Sequence, residues 1–228
     1  MDKIGILCAS DTELEPFLSH IHDVKTTEKA MLKFYEGTIS SVSVAAVYSG
    51  VCKVNAAIAA QLLIDVFQVD RIINAGVSGG MDESVQLFDT IVAEEVAYHD
   101  VDDDILTEFH PWMKSVYFQA DQQLVMAMRE YSKASEHPIL FGRTVTGEQF
   151  IADNKRDEIN QKFSPLSVDM EAGSIAHVCY VNKIPFLSVK SITDTPTHSG
   201  IENFEENCEK AAAISADIVM GFIGSRKK

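Results

Sequence analysis

Residues 71–80 read RIINAGVSGG, and the first six form a short apolar run that closes on a glycine. Length and composition make 71–76 a buried strand rather than a piece of helix. Runs of the same kind recur along the chain: KIGILC (3–8), DTIVAEEVAYHD (89–100), ILFGRTVTG (139–147) and FLSVKSI (186–192), with a shorter extended piece over 166–170. Between them the spacing predicts helices over 14–19, 53–67, 121–131, 153–162, 171–181 and 203–223. The 53–67 helix reads as packed on one side, through Val54, Ala57, Ile58, Ala60, Leu62, Leu63 and Val66. MLKFYEG (31–37) and SVSVAAVYSG (41–50), separated by a few polar residues, read as a hairpin. Strands that alternate with helices and are apolar throughout imply an α/β fold with a largely parallel sheet covered on both faces.

In such folds ligands gather beyond the carboxyl ends of the strands. Six segments fall there: 8–13, 49–53, 76–80, 147–151, 169–171 and 193–195. They bring Glu13, Asp169, Glu171 and Asp194 to places where a pocket would form, although carboxylates are seldom buried without partners. Each also has a structural reading. Glu13 suits the first turn of a helix, Glu171 opens one where the dipole favours negative charge, and Asp194 suits a turn. Asp169 and Glu171, two apart, project to one side of an extended segment. Together these acids suit acid–base work on a polar small molecule.

GVSGG (76–80) matches G-x-S-x-G with Ser78 as nucleophile, but a nucleophile elbow runs straight into a helix. Here MDESVQLFDT reads as a turn-rich link, and Asp194 and His198 lie too close in sequence to complete a triad. The better reading is a glycine-rich turn that lets backbone approach a ligand. It lacks the spacing of a dinucleotide fingerprint. The seven histidines form no cluster, and His20, His22 and His177 read as structural or surface residues. Lys53, at a helix start, is either paired with a carboxylate or solvated.

With 228 residues the chain is long enough to bury roughly 70% of its unfolded surface as one domain, 1–228. A formal net charge of −15 argues against nucleic acid as a partner. The apolar run at the N-terminus is too short for a signal-peptide core or a membrane span. Cys8, Cys52, Cys179 and Cys208 are scattered and read as reduced thiols of a cytoplasmic protein, not a disulfide frame or zinc site. The acidic stretch Asp100–Asp104 lacks the spacing of a calcium loop and reads as solvated. No metal and no cofactor are expected.

Six segments together carry a resemblance: SGVCKVNAA (49–57), INAGVSGG (73–80), YHDVD (98–102), TGEQFI (146–151), VDMEAGSIAHVC (168–179) and SVKSITD (188–194). In this order the chain resembles the 5′-methylthioadenosine/S-adenosylhomocysteine nucleosidases, within the wider purine nucleoside phosphorylase-like family. The resemblance implies a three-layer α/β/α fold around a mixed, partly closed sheet, and a homodimer. It implies Asp194 as the acid that protonates the purine at N7, and Glu13 as the carboxylate that orients and deprotonates water. Glu171 would bind the ribose hydroxyls with Met170 under the sugar. Phe150 would stack on the purine, with the backbone of Ile151 at its edge. Val77 and Ser78 would lie beside ribose and water, and Gly79, Asp169 and Thr193 complete the substrate-binding set.

The chemistry agrees. Adenine leaves poorly as an anion, so an acid must deliver a proton, and carboxylates near the sugar stabilise an oxocarbenium-like state. Phosphorolysis requires cations for phosphate, and the chain has no arginine before Arg71, so water is the expected nucleophile. The alternatives are phosphorolysis of another purine nucleoside and a non-catalytic nucleoside-binding paralogue. The sequence departs from the family's usual pattern at Val77-Ser78, Gly147-Glu148, Asp169 and Thr193, and in DDILTEFHPWM (103–113). Phe109, Pro111 and Trp112 either line an altered 5′-substituent pocket or pack between subunits.

Overall fold

A computed structural model describes residues 3–151 and 153–225. The first part of the chain runs β1 (Lys3–Cys8), α1 (Asp11–Leu18), β2 (His22–Lys29), β3 (Leu32–Ile39), β4 (Val42–Tyr48), α2 (Lys53–Asp65) and β5 (Arg71–Gly80). The middle holds β6 (Thr90–Tyr98), α3 (Asp103–Glu108), β7 (Tyr117–Gln119), α4 (Gln122–Ser132) and β8 (Ile139–Thr146). The last part holds α5 (Asp153–Phe163), β9 (Ser167–Asp169), α6 (Ala172–Asn182), β10 (Phe186–Asp194) and α7 (Ile201–Ser225).

The central strands alternate, as a sheet buried on both faces requires. In β1, Ile4, Ile6 and Cys8 join the core shared with α1, α4 and α7, while Leu7 joins the core shared with α2 and α6. Val44 and Ala46 against Ala45 and Val47 in β4, and Ile73 against Ile72 in β5, repeat the pattern. This gives three layers, helix–sheet–helix. The sheet is mixed. β4, β1, β5 and β10 run parallel in that order, as do β6, β8 and β9, while β10–β6 and β5–β9 are antiparallel. Because β5 bonds both β10 and β9, the strands β5, β10, β6, β8 and β9 close into a ring. The tail β1–β4–β3–β2 extends from it, so the sheet is partly closed.

The structure departs from the sequence expectations in four places. GVSGG is no turn: β5 continues through it to Gly80, pairing with β10 and β9. β2 (HDVKTTEK) is a strand where the sequence reads as polar connection, because its side chains are nearly all exposed and show no apolar alternation. Asp103 and Asp104 open the short helix α3 instead of lying in a loop. Finally, α2 does not bury all the apolar residues expected to pack: Ala56, Ala59, Ala60 and Leu63 face the core, whereas Val54, Ile58 and Val66 are exposed. The hairpin does form, as β3–β4, over a two-residue turn with positive φ at Ser40 and Ser41. Among the described residues no helix is long and apolar enough to cross a membrane.

Candidate active site

Glu13 is fixed before any ligand arrives. Ser10 caps α1 in a capping box: its Oγ accepts from the Glu13 N–H at 3.3 Å, and Glu13 Oε2 accepts from Ser10 N at 3.0 Å. The same Oε2 accepts from Ala9 N at 2.6 Å, and Oε1 accepts from Val77 N, on β5, at 2.8 Å. The carboxylate lies against Gly76 so closely that a Cβ there would collide with it, and Gly76 has φ +146°. This accounts for the glycines of GVSGG in a strand: small residues let carboxylates approach the backbone. Burial raises the Glu13 pKa, with Glu171 adding, against the lowering effect of Lys190 and the Val77 and Ala9 N–H groups.

Asp169 and Glu171 meet on one ammonium group. Lys190 Nζ, from the middle of β10, stands 2.7 Å from Asp169 Oδ2 and 3.0 Å from Glu171 Oε2, and Lys190 is only 2% exposed. Burial opposes its charge, but Asp169, Glu171 and Glu13 outweigh burial and hold it protonated. Asp169 also accepts from Thr146 Oγ1 at 2.5 Å and from the Ala172 N–H at the start of α6. Glu171 Oε1 accepts from Cys52 N at 3.1 Å. Two of the roughly four lone-pair positions of the Glu171 carboxylate are thus taken, leaving others to accept from a ligand's hydroxyls.

Asp194 ends β10 opposite Gly79, after a register shift that begins at Ile192 and re-aims the strand end. It is buried. Its carboxylate lies over Gly79, where a Cβ would stand 3.2 Å from Oδ2. The single proton of Thr193 Oγ1 is shared between Asp194 Oδ1 at 3.0 Å and Ser78 O at 3.3 Å. Arg156 Nη2 stands 3.8 Å from Oδ2.

One cavity of about 290 Å³ is lined by Glu13, Val77, Ser78, Gly79, Phe150, Ile151, Asp169, Met170, Glu171 and Asp194. Of the residues expected at the site, Thr193 alone stays off the wall, bonded to Asp194 from its flank. Phe109, Pro111 and Trp112 do not line the cavity of this chain. Sequence reasoning missed the wall from α7, Ile201, Phe204 and Cys208, with Phe204 meeting Phe150 edge-to-face at 6.1 Å. Burial, with Glu13 and Glu209 adding, pushes the Cys208 thiol up to about 11. Lys190 and Arg156 were also missed. A lone lysine inside an apolar strand was the available signal for the first.

Lys53 proves to be paired: its Nζ holds Asp100 at 2.8 and 3.0 Å, and Asp100 Oδ2 accepts from Glu148 N at 2.9 Å. Burial alone would raise the Asp100 carboxyl, but the Lys53 ammonium and the Glu148 N–H carry it below its ordinary value. Glu148 Oε1 in turn accepts from Lys53 N at the start of α2, which ties the Phe150 loop to that helix.

A fold with this ring and this cavity defines a class. Residues 3–224 match the family model of the phosphorylase superfamily, and the chain belongs to that family. It is 35% identical to the 5′-methylthioadenosine/S-adenosylhomocysteine nucleosidase of Halalkalibacterium halodurans over 98% of this chain and 99% of that protein. It is 36% identical to the protein of the same name from Listeria monocytogenes, over 95% and 97%. Among solved structures, the nucleosidase of Colwellia psychrerythraea in complex with adenine superposes with a TM-score of 0.89 at 32% identity, covering 98% of this chain and 95% of that one.

Proposed function

We propose that this chain hydrolyses the N-glycosidic bond of 5′-methylthioadenosine, S-adenosylhomocysteine or both, releasing adenine and the 5-thio-substituted ribose. The observation that carries the reading is the placement of Glu13 and Asp194, both buried and both held by directed hydrogen bonds, on one cavity. Asp194 gives its proton to N7, the electron pair of the C1′–N9 bond leaves with adenine, and water bonds to C1′ while passing a proton to Glu13. Glu171 accepts from the ribose hydroxyls, Met170 lies under the sugar and Phe150 stacks on the base. The carboxylates favour the positive charge that develops on the sugar.

Among the described residues no lysine or arginine lines the cavity, whereas Glu13, Asp169, Glu171 and Asp194 do. A phosphate dianion has nothing to pair with there, which supports hydrolysis over phosphorolysis. The whole of 1–228 works as one unit in this reading.

Homodimer assembly is part of the proposal. It is supported by exposed apolar side chains over the α2, α3 and α6 layer: Val54 (69%), Ile58 (45%), Phe109 (59%), Trp112 (65%) and Tyr180 (47%). Four free thiols support a reducing, cytoplasmic setting. The charge of −15 supports a small-molecule substrate and no nucleic acid.

The test is adenine release from 5′-methylthioadenosine, S-adenosylhomocysteine and adenosine, each with and without phosphate. Release from a thio-substituted substrate without phosphate is the expected result, and release that requires phosphate would sink the hydrolase. Asp194→Asn should fold normally and lose about 10²–10⁴-fold in kcat.

A further inference from the structure

We infer that Arg156 is a positioning residue for the protonation step, fixing Asp194 and stabilising the carboxylate that Asp194 becomes. The inference rests on Asp194 as the acid. α5 is a charged helix, yet Arg156 points inward and is 4% exposed. Its Nη1 donates to Gly80 O, its Nη2 stands 3.8 Å from Asp194 Oδ2, and its Nε has no hydrogen-bond partner among the described residues.

A backbone brace alone does not require such a residue. One turn along α5, Asn160 Nδ2 donates to Met81 O at 3.0 Å, so a neutral amide already holds the adjoining carbonyl. Each keeps one buried polar atom unpaired, Nε of Arg156 and Oδ1 of Asn160, but only the guanidinium also carries the desolvation of a full charge. What the cation adds is a field at Oδ2, opposite the Thr193 hydroxyl at Oδ1.

The step that uses this field is balanced within the site. The Asp194 proton moves to N7, the C1′–N9 pair leaves with adenine, and negative charge appears on Asp194 as the bond breaks. Arg156 and Thr193 both favour that charge, so their effect grows toward the transition state. Arg156 thus makes Asp194 a stronger acid at the moment the purine accepts the proton.

The experiment is a double-mutant cycle on the full chain, with 5′-methylthioadenosine as substrate and adenine release as readout. Arg156→Gln is expected to lower kcat about 30–300-fold while KM stays within about threefold, and Arg156→Lys is expected to stay within about tenfold of the parent. In the Asp194→Asn background Arg156→Gln is expected to cost less than about threefold more, because its partner is already gone. Losses that multiply in that background would make Arg156 a brace and overturn the inference. So would an Arg156→Gln enzyme with near-parental kcat. Should the Gln variant fail to fold, Arg156→Lys decides: a lysine variant with parental melting temperature but the turnover of Asp194→Asn overturns the inference. Near-parental turnover by Asp194→Asn itself is a separate result, and it removes the acid on which the inference stands.

Discussion

Two strands of one sheet carry charge in opposite ways. β2, the outer strand of the tail, holds Asp23, Lys25, Glu28 and Lys29, all exposed and none needing a partner. β10, in the ring, holds Lys190 and Asp194, both buried, each with charged and hydrogen-bonding neighbours at named distances. The residue types are alike, but the cost is not. On β2 water solvates the charge. In β10, with helices on both faces, every charge must be compensated by protein, and that compensation fixes where the carboxylates sit. A strand charge is therefore a sign of function only where both faces of the strand are covered.

Lys190→Met tests this contrast hardest. It leaves Asp169 and Glu171 buried without their cation, and urea unfolding should show a loss of about 3–5 kcal/mol. A loss near zero would mean that the two acids are compensated elsewhere and that β10 differs little from β2. The next effect is on pH dependence. In the proposed reaction Glu13 takes a proton from water and has to be ionised; burial raises it, so turnover is expected to fail as pH falls through the raised value. The acid limb of kcat/KM should therefore lie above 4.5, the ordinary glutamate value. A limb at or below that value would show that Lys190 and the backbone N–H groups win over burial. The smallest effect belongs to the other strand: Lys25→Met should change stability by less than about 0.5 kcal/mol in the same unfolding assay.

The ring strands were legible because burial on both faces leaves a continuous apolar run, as in 71–76 and 186–192. β2 was not, since an edge strand open to water has no reason to alternate. GVSGG misled for a physical reason. Glycines locally signal a turn, but here they clear space for the Glu13 and Asp194 carboxylates against an extended chain. The acids of the site could be found from strand-end positions and from the family resemblance. Arg156 could not, because a helix full of charge does not tell which residue faces inward. Ile201, Phe204 and Cys208 reach the cavity only through the packing of α7 across the sheet, which local sequence does not encode.

Closing five strands into a ring also bears on self-association. A sheet normally exposes two unpaired edges, each a template for strands of other molecules. Here the ring uses up one of them, apart from the three-residue β7, and β2 is the one long edge among the described residues. Its Asp23, Lys25, Glu28 and Lys29 side chains make that edge a poor template, since an incoming strand would have to desolvate charge at both ends of it. A strand that contributes no residue to the pocket is thus placed to keep the molecule from aggregating, which is reason enough for its sequence to look like a loop.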